Sequence, residues 1–209
     1  MGFSLTSAFD EDYFEFKDRV LQVDMSFDNI LLLYEMFDDE ELEGYEKVHF
    51  ALNLLINEYE TLHLSSYKEA YELFEYVLLE FLGIDLDNKN NDGNTNVKIY
   101  DFKKDAELIY ASFFAVYKVD LFELKGKLHW KKFQALLNHL DDNSPFKQVI
   151  GYRTMKVPSE KEASKDYIKH VREMKRIYSL DDGPKDVTNV FNDLASTFKS
   201  QTKGVRDNG

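Results

Sequence analysis

From Tyr13 to Asp24 large apolar residues alternate with polar ones, as YFEF and VLQVD on either side of KDR. Alternation at period two gives a strand one buried face, so these residues predict a short N-terminal β-hairpin. The period then lengthens. In SFDNILLLYEMFDD, Ser26 stands where an N-cap is wanted, and Phe27, Ile30, Leu31, Tyr34 and Phe37 follow at helical spacing. EKVHFALNLLINEYETL (46–62) and YKEAYELFEYVLLEFLG (67–83) continue the pattern as two more helices, the second stopped by Gly83.

The pattern lapses in DLDNKNNDGNTN (85–96), a polar, Asn-rich stretch expected to be a loop or linker. Beyond it, YDFKKDAELIYASFFAVYKVDLFE predicts a helix with Phe102, Leu108 or Ile109, Phe113 and Val116 facing inward. LHWKKFQALLNHL places Trp130, Phe133, Leu136, Leu137 and Leu140 on one helical face. A helix restart is marked by Ser144 as cap and Pro145 at the first helical position. SEKEASKDYIKHVREMKRIYSL opens on the capping box Ser159-x-x-Glu162 and carries an apolar stripe of Tyr167, Ile168, Val171, Met174, Ile177 and Tyr178. After DDGP, a last segment sets Val187, Val190, Phe191, Leu194 and Phe198 on one face. The expected fold is therefore mainly α with the hairpin in front. Residues 1–84 form an acidic N-terminal lobe, 85–99 a linker, 100–180 a helical domain, and 181–209 a hinge with an amphipathic C-terminal helix. The linker makes two helical lobes one way to divide the chain.

Composition sharpens this picture. The 209 residues are 44% hydrophobic, enough for a sizeable core and far from a disordered composition. There is no Cys, so disulfides and thiolate metal sites are excluded and an intracellular setting is expected. The start lacks a signal-peptide pattern, and the longest apolar runs, ILLLY and FFAVY, fall short of the roughly 18 residues a membrane span needs. Gly2 with Thr6 formally matches an N-acylation signal, with nothing else pointing to a membrane.

Charge is divided unevenly. Residues 1–96 hold 5 Lys/Arg against 23 Asp/Glu, and residues 97–209 hold 21 against 16. An acidic half is unsuited to binding a polyanion, because nucleic-acid affinity depends on neutralising phosphate. The asymmetry gives two solvated surfaces of different sign, and it also permits head-to-tail association in which the acidic half of one copy meets the basic half of another. Lys161, Lys165, Lys169, Arg172, Lys175 and Arg176 lie mostly away from the apolar stripe of their helix and predict a solvated basic face.

Four places carry candidate chemistry. As a calcium loop, 88–99 puts Asn88, Asn90, Asp92 and Gly93 in register but ends on Ile99 where a bidentate carboxylate is required. Glu46 with His49 and Glu60 with His63 have the spacing of di-iron ligands, but they lie in or beside one helix, too far apart to share a cluster. His129 and His139 are likewise separated by about 15 Å along their helix. Trp130 among Lys127, Lys131 and Lys132 could stack on a base, but it lies in line with Phe133 and Leu137, as a core aromatic does. No catalytic residue, metal ligand or cofactor-binding residue can be nominated. A helix of that length is marginal alone in water, so the apolar face at 187–198 is expected to pack either back onto its own domain or, as the candidate partner-binding surface, onto another protein.

DAELIYASFFAVYKVDL (105–121), GKLHWKKFQALLNHL (126–140), PFKQVIGYRT (145–154) and KRIYSL (175–180), in that order, resemble the phage family named after gene product fifteen. VLQVDMSFDNILLLYEMF (20–37) resembles that family's opening. The resemblance implies a protein of tailed phages and prophages of Gram-positive bacteria, acting as a tail-assembly chaperone. Such chaperones bind the helical tape-measure protein and assist assembly of the tail tube around it, in the host cytoplasm, and leave before the virion is finished. Implied partners are the tape-measure protein, the tail-tube protein and an upstream tail chaperone, with no catalytic role, nucleic acid, membrane or cofactor. A structural tail or connector component of the virion is the alternative. The resemblance also implies that Leu128, His129, Trp130, Phe133, Leu136, Leu137, Ile150 and Arg153 belong to a shared domain core. The chain departs from the family at Lys118, where relatives often carry Gly after the Tyr, and from about residue 181 onward.

Overall fold

The computed structural model describes residues 12–86 and 99–180. Among these residues there are seven α-helices and one two-stranded sheet, so the protein is mainly α with an N-terminal hairpin, as expected. The expected C-terminal helix, with Val187, Val190, Phe191, Leu194 and Phe198, lies outside the described residues, as does most of the expected linker. The chain forms two compact units. Of the described residues, the first takes 12–86 and 125–131, and the second takes 99–124 and 132–180. Residues 125–131 thus cluster with the N-terminal part, although they sit inside the stretch expected to form one helical domain.

In the first unit, β1 (Tyr13–Phe16) pairs antiparallel with β2 (Arg19–Gln22), with Phe14 opposite Leu21. The alternation works as read: Phe14 and Leu21 are buried, whereas Tyr13 and Val20 face out. Lys17 and Asp18 connect the strands with φ of 49° and 59°, the two-residue left-handed turn whose twist matches a hairpin. Helix α1 (Phe27–Asp38) buries Phe27, Ile30, Leu33 and Phe37, and α2 (Gly44–Leu55) buries Val48, Ala51, Leu52 and Leu55. Leu31 and Tyr34 are only half-buried, because Leu33 takes the central place on α1.

Helix α2 stops short of the expected range. Ile56 leaves the helix to bridge Val23, the Asn57 N–H donates to the Gln22 carbonyl, and Glu58 turns left-handed at φ 66° before a short 3-10 turn at Tyr59–Thr61. Helix α3 (Tyr67–Val77) starts at Ser66, whose hydroxyl accepts from the Glu69 N–H. It widens into a π turn over Leu78–Leu82 and ends at Gly83, φ 69°, as the sequence predicts.

The second unit contains α4 (Ala106–Tyr117), most of α5 (Trp130–Asn138), α6 (Pro145–Thr154) and α7 (Lys165–Ile177). Ile109 and Phe113 of α4 are buried, but Val116 is exposed, and Phe102 lies half-buried in the turn before the helix. Phe113 stacks on Phe133 with ring centres 5.2 Å apart. Lys118, after α4, takes φ 56°, the left-handed helix stop that glycine suits best. Ser159 and Glu162 do pair, but not as a capping box: the Ser159 N–H and hydroxyl both donate to the Glu162 carboxylate, the Glu162 N–H donates to the Ser159 carbonyl, and the pair closes a turn ahead of α7. The helix itself begins after Ser164, whose hydroxyl accepts from the Tyr167 N–H. Of the α7 stripe only Ile168 and Val171 are buried; Tyr167 and Ile177 are exposed.

Candidate functional site

The residues that carry the motif fall into two constellations, one on each unit. On the first unit, Gly126–Trp130 forms a strap against the start of α1, a turn that passes through a bridge at His129 into α5. The Gly126 N–H donates to Asp28 Oδ1, the Phe27 N–H to the Leu128 carbonyl, and the Trp130 N–H to the Met25 carbonyl. Ser26 and His129 form an isolated antiparallel bridge. Ser26 stands at the N-cap position of α1 without its hydroxyl capping the helix; its N–H donates to Asp24 Oδ1 and its carbonyl accepts the Ile30 N–H, while its neighbours Met25 and Phe27 bond the strap.

His129 is buried within this strap. The Lys131 N–H donates to His129 Nδ1 at 3.0 Å, so Nδ1 is an acceptor and the proton sits on Nε2. Nε2 then donates to the Asp12 carboxylate at 3.1–3.2 Å. Both ring nitrogens are thereby used in positioning. Trp130 is 3% exposed and meets Tyr34 edge to face at 5.7 Å. A buried indole offers no face for base stacking.

On the second unit, Arg153 forms a clamp. Two of its guanidinium nitrogens bond Asp105 at 2.6 and 2.7 Å, Nε donates to the Tyr178 carbonyl at 2.6 Å, and a terminal nitrogen reaches the Ile99 carbonyl at 3.1 Å. Asp105 is 2% exposed and also accepts the Asp101 N–H. The planar fork of arginine fits such a bidentate contact, and the buried charges are compensated on the spot. One side chain thus ties together the start of α4, the segment before it and the end of α7.

Lys175 does comparable work. Its ammonium donates to the Tyr152, Arg153 and Met155 carbonyls at 3.1, 2.7 and 2.9 Å, closing the C-terminal end of α6 where orphan carbonyls and the helix dipole favour a cation. Lys175 is therefore no part of a solvated basic face.

At the other end of α6, Pro145 occupies the first position, but the Ser144 hydroxyl is buried and makes no cap. The capping oxygen comes from α4. The fully buried Ser112 Oγ accepts the Phe146 N–H at 3.0 Å while donating to the Leu108 carbonyl at 2.6 Å. Ser112 and Asp105 are the residues that sequence reasoning missed. Each is a small polar group in or beside an apolar run, which is the signal that could have flagged them.

The remaining motif residues are packing elements. Phe133 and Leu137 are buried, as is Leu140 beyond the end of α5, while Leu136 is half-buried and its carbonyl accepts from the Tyr117 hydroxyl at 2.9 Å. Ile150 is half-buried and lines a groove of about 660 Å³ together with Lys147, Tyr152, Tyr167 and His170. The Glu-His spacings have another use: His49 Nδ1 lies 2.6 Å from the Tyr59 hydroxyl. Among the described residues no group of three or more His, Asp and Glu side chains is placed to hold a metal ion. No helix among them is long and apolar enough to cross a membrane.

The model of the family described as Bacteriophage Gp15 protein matches residues 10–180. No curated protein and no solved structure matches the chain.

Proposed function

The chain belongs to the Bacteriophage Gp15 protein family, which points to a part in building the phage particle, and on that premise we propose that it is a non-enzymatic chaperone of tail assembly. In this reading it binds the apolar helical tape-measure protein, keeps it soluble in the host cytoplasm while tail-tube subunits polymerise around it, and is absent from the mature virion. The observation that carries the reading is the family match across residues 10–180. Two further observations support it. The motif's polar side chains, Arg153 and His129, are spent on backbone groups and the carboxylates of Asp105 and Asp12, and large apolar side chains such as Phe50, Leu79, Phe114 and Phe122 stand exposed, as a binder of apolar helices requires.

The test is a tagged pull-down from cells producing the whole phage, with mass spectrometry of the bound proteins and of purified virions. Enrichment of a very long, helix-rich tape-measure chain, with the bait missing from virions, is the expected result. Finding the bait in virions beside tail or connector subunits, with no tape-measure chain captured, overturns the chaperone reading and establishes a structural component instead.

A further inference from the structure

Helix α4 is apolar on two sides, which is the pattern of a helix enclosed within a core. Its inner face supplies Ile109 and Phe113. Its outer face presents Glu107, Tyr110, Ala111, Phe114 and Ala115, which share about 140° of the helix circumference at 100° per residue, and Lys118 follows at the C-cap with its ammonium on the Ala115 carbonyl. This face is open. Phe114 is 52% exposed, and Phe122, which follows the helix, is 67% exposed. Tyr110 packs against both, at 6.3 Å from Phe114 and 5.4 Å from Phe122.

We propose that two copies of this chain associate through the outer face of α4, antiparallel and about a two-fold axis. The occupant is set by the order of residues along the face, which is complementary to its own reverse. With the axis midway between Ser112 and Phe113, Phe114 of one copy lies beside Ala111 of the other. Glu107 meets Lys118 at both ends. A large ring thus fills the space over a small residue, and opposite charges close the seam, as an isologous contact requires. Lys118 already donates to the Ala115 carbonyl, and its ammonium retains donors for a carboxylate across the interface. This closed pair is a different arrangement from the head-to-tail contact that the uneven charge of the two halves permits.

Because the chain contains no Cys, a single introduced thiol can link only to its counterpart in another copy. Ala111, exposed and next to the axis, is the position for it. The expected result is that Ala111→Cys forms a covalent dimer on mild oxidation, that Asn138→Cys does not, and that adding Phe114→Glu abolishes the link. In parallel, the molar mass of the unmodified chain rises from one to two copies over a concentration series. Glu107→Lys and Lys118→Glu each weaken the dimer about two- to five-fold, and the double swap restores it. Thermal melts of each variant confirm folding. A fixed monomer mass, a head-to-tail assembly, or a dimer that Ala111→Cys fails to link overturns the proposal.

Discussion

His129 and Arg153 are the two charged or titratable residues of the motif core, one in each unit, and they hold their surroundings in opposite ways. The strap around His129 is attached mainly by backbone: the Leu128 and Met25 carbonyls and the Phe27 and Trp130 N–H groups do the pairing. The imidazole adds orientation through Asp12 and the Lys131 N–H. Around Arg153 the side chain itself is the attachment, with four contacts to three separate segments. Where backbone does the holding, a side-chain loss is cushioned. Where one side chain does it, the loss falls on every segment at once.

The largest effect should therefore come from breaking the clamp. Arg153→Ala leaves Asp105 charged, buried and without its guanidinium, a situation that costs about 3–5 kcal/mol. Denaturant titration should show the midpoint falling accordingly, with a loss below 1 kcal/mol contradicting the clamp. Arg153→Lys sharpens the comparison. It keeps the charge but loses the fork, so it should recover only a minor part of the lost stability.

His129→Ala is expected to cost less, about 1–3 kcal/mol, since it strands the Lys131 N–H and removes the partner of Asp12 but leaves the backbone pairing in place. The matched measurement is the same titration, followed by Trp130 fluorescence because that ring lies at the end of the strap. If His129→Ala proved as damaging as Arg153→Ala, the division of labour between backbone and side chain would be wrong.

The same contrast explains what the sequence made legible. The hairpin, the helix restart at Pro145 and the stop at Gly83 are local, and local chemistry announces them. The strap is not local. Gly126–Trp130 pairs with residues about a hundred positions earlier, mainly through N–H and carbonyl groups that every residue carries, so GKLHW looks like the approach to a helix. Ile56 was apolar enough to extend α2 by periodicity, yet it is apolar because it faces Val23 across a bridge. Arg153 and Lys175 resemble surface cations until the carbonyls that they meet are brought within reach by folding. Ser144 has the right local position for a cap, and Ser112, from another helix, supplies the oxygen.

A smaller and opposite effect is expected at Lys118. Its left-handed conformation strains a residue with a Cβ by about 1 kcal/mol, so Lys118→Gly should stabilise the second unit by up to that amount, less the contact of its ammonium with the Ala115 carbonyl. A drop in melting temperature would mean that this contact outweighs the backbone strain.

The smallest effect belongs to the hairpin's link to α3, where Lys17 pairs with Glu69 at the surface. The Glu69 carboxyl is held below its ordinary value of 4.5, first by the hydrogen bond from Lys17 and then by the Ser65 N–H. A depressed folded-state value means that the unfolded chain binds the proton first as pH falls. The stabilisation is thus fully present above the ordinary carboxylate value and is lost as pH drops through the lowered one. Both side chains are solvated, so the contribution is slight and salt-sensitive. Melting temperatures between pH 6 and 3 should fall more steeply for the native chain than for Lys17→Met, and the two curves should converge at the acid end. Parallel curves throughout would show that the Ser65 N–H, and not Lys17, sets the carboxylate.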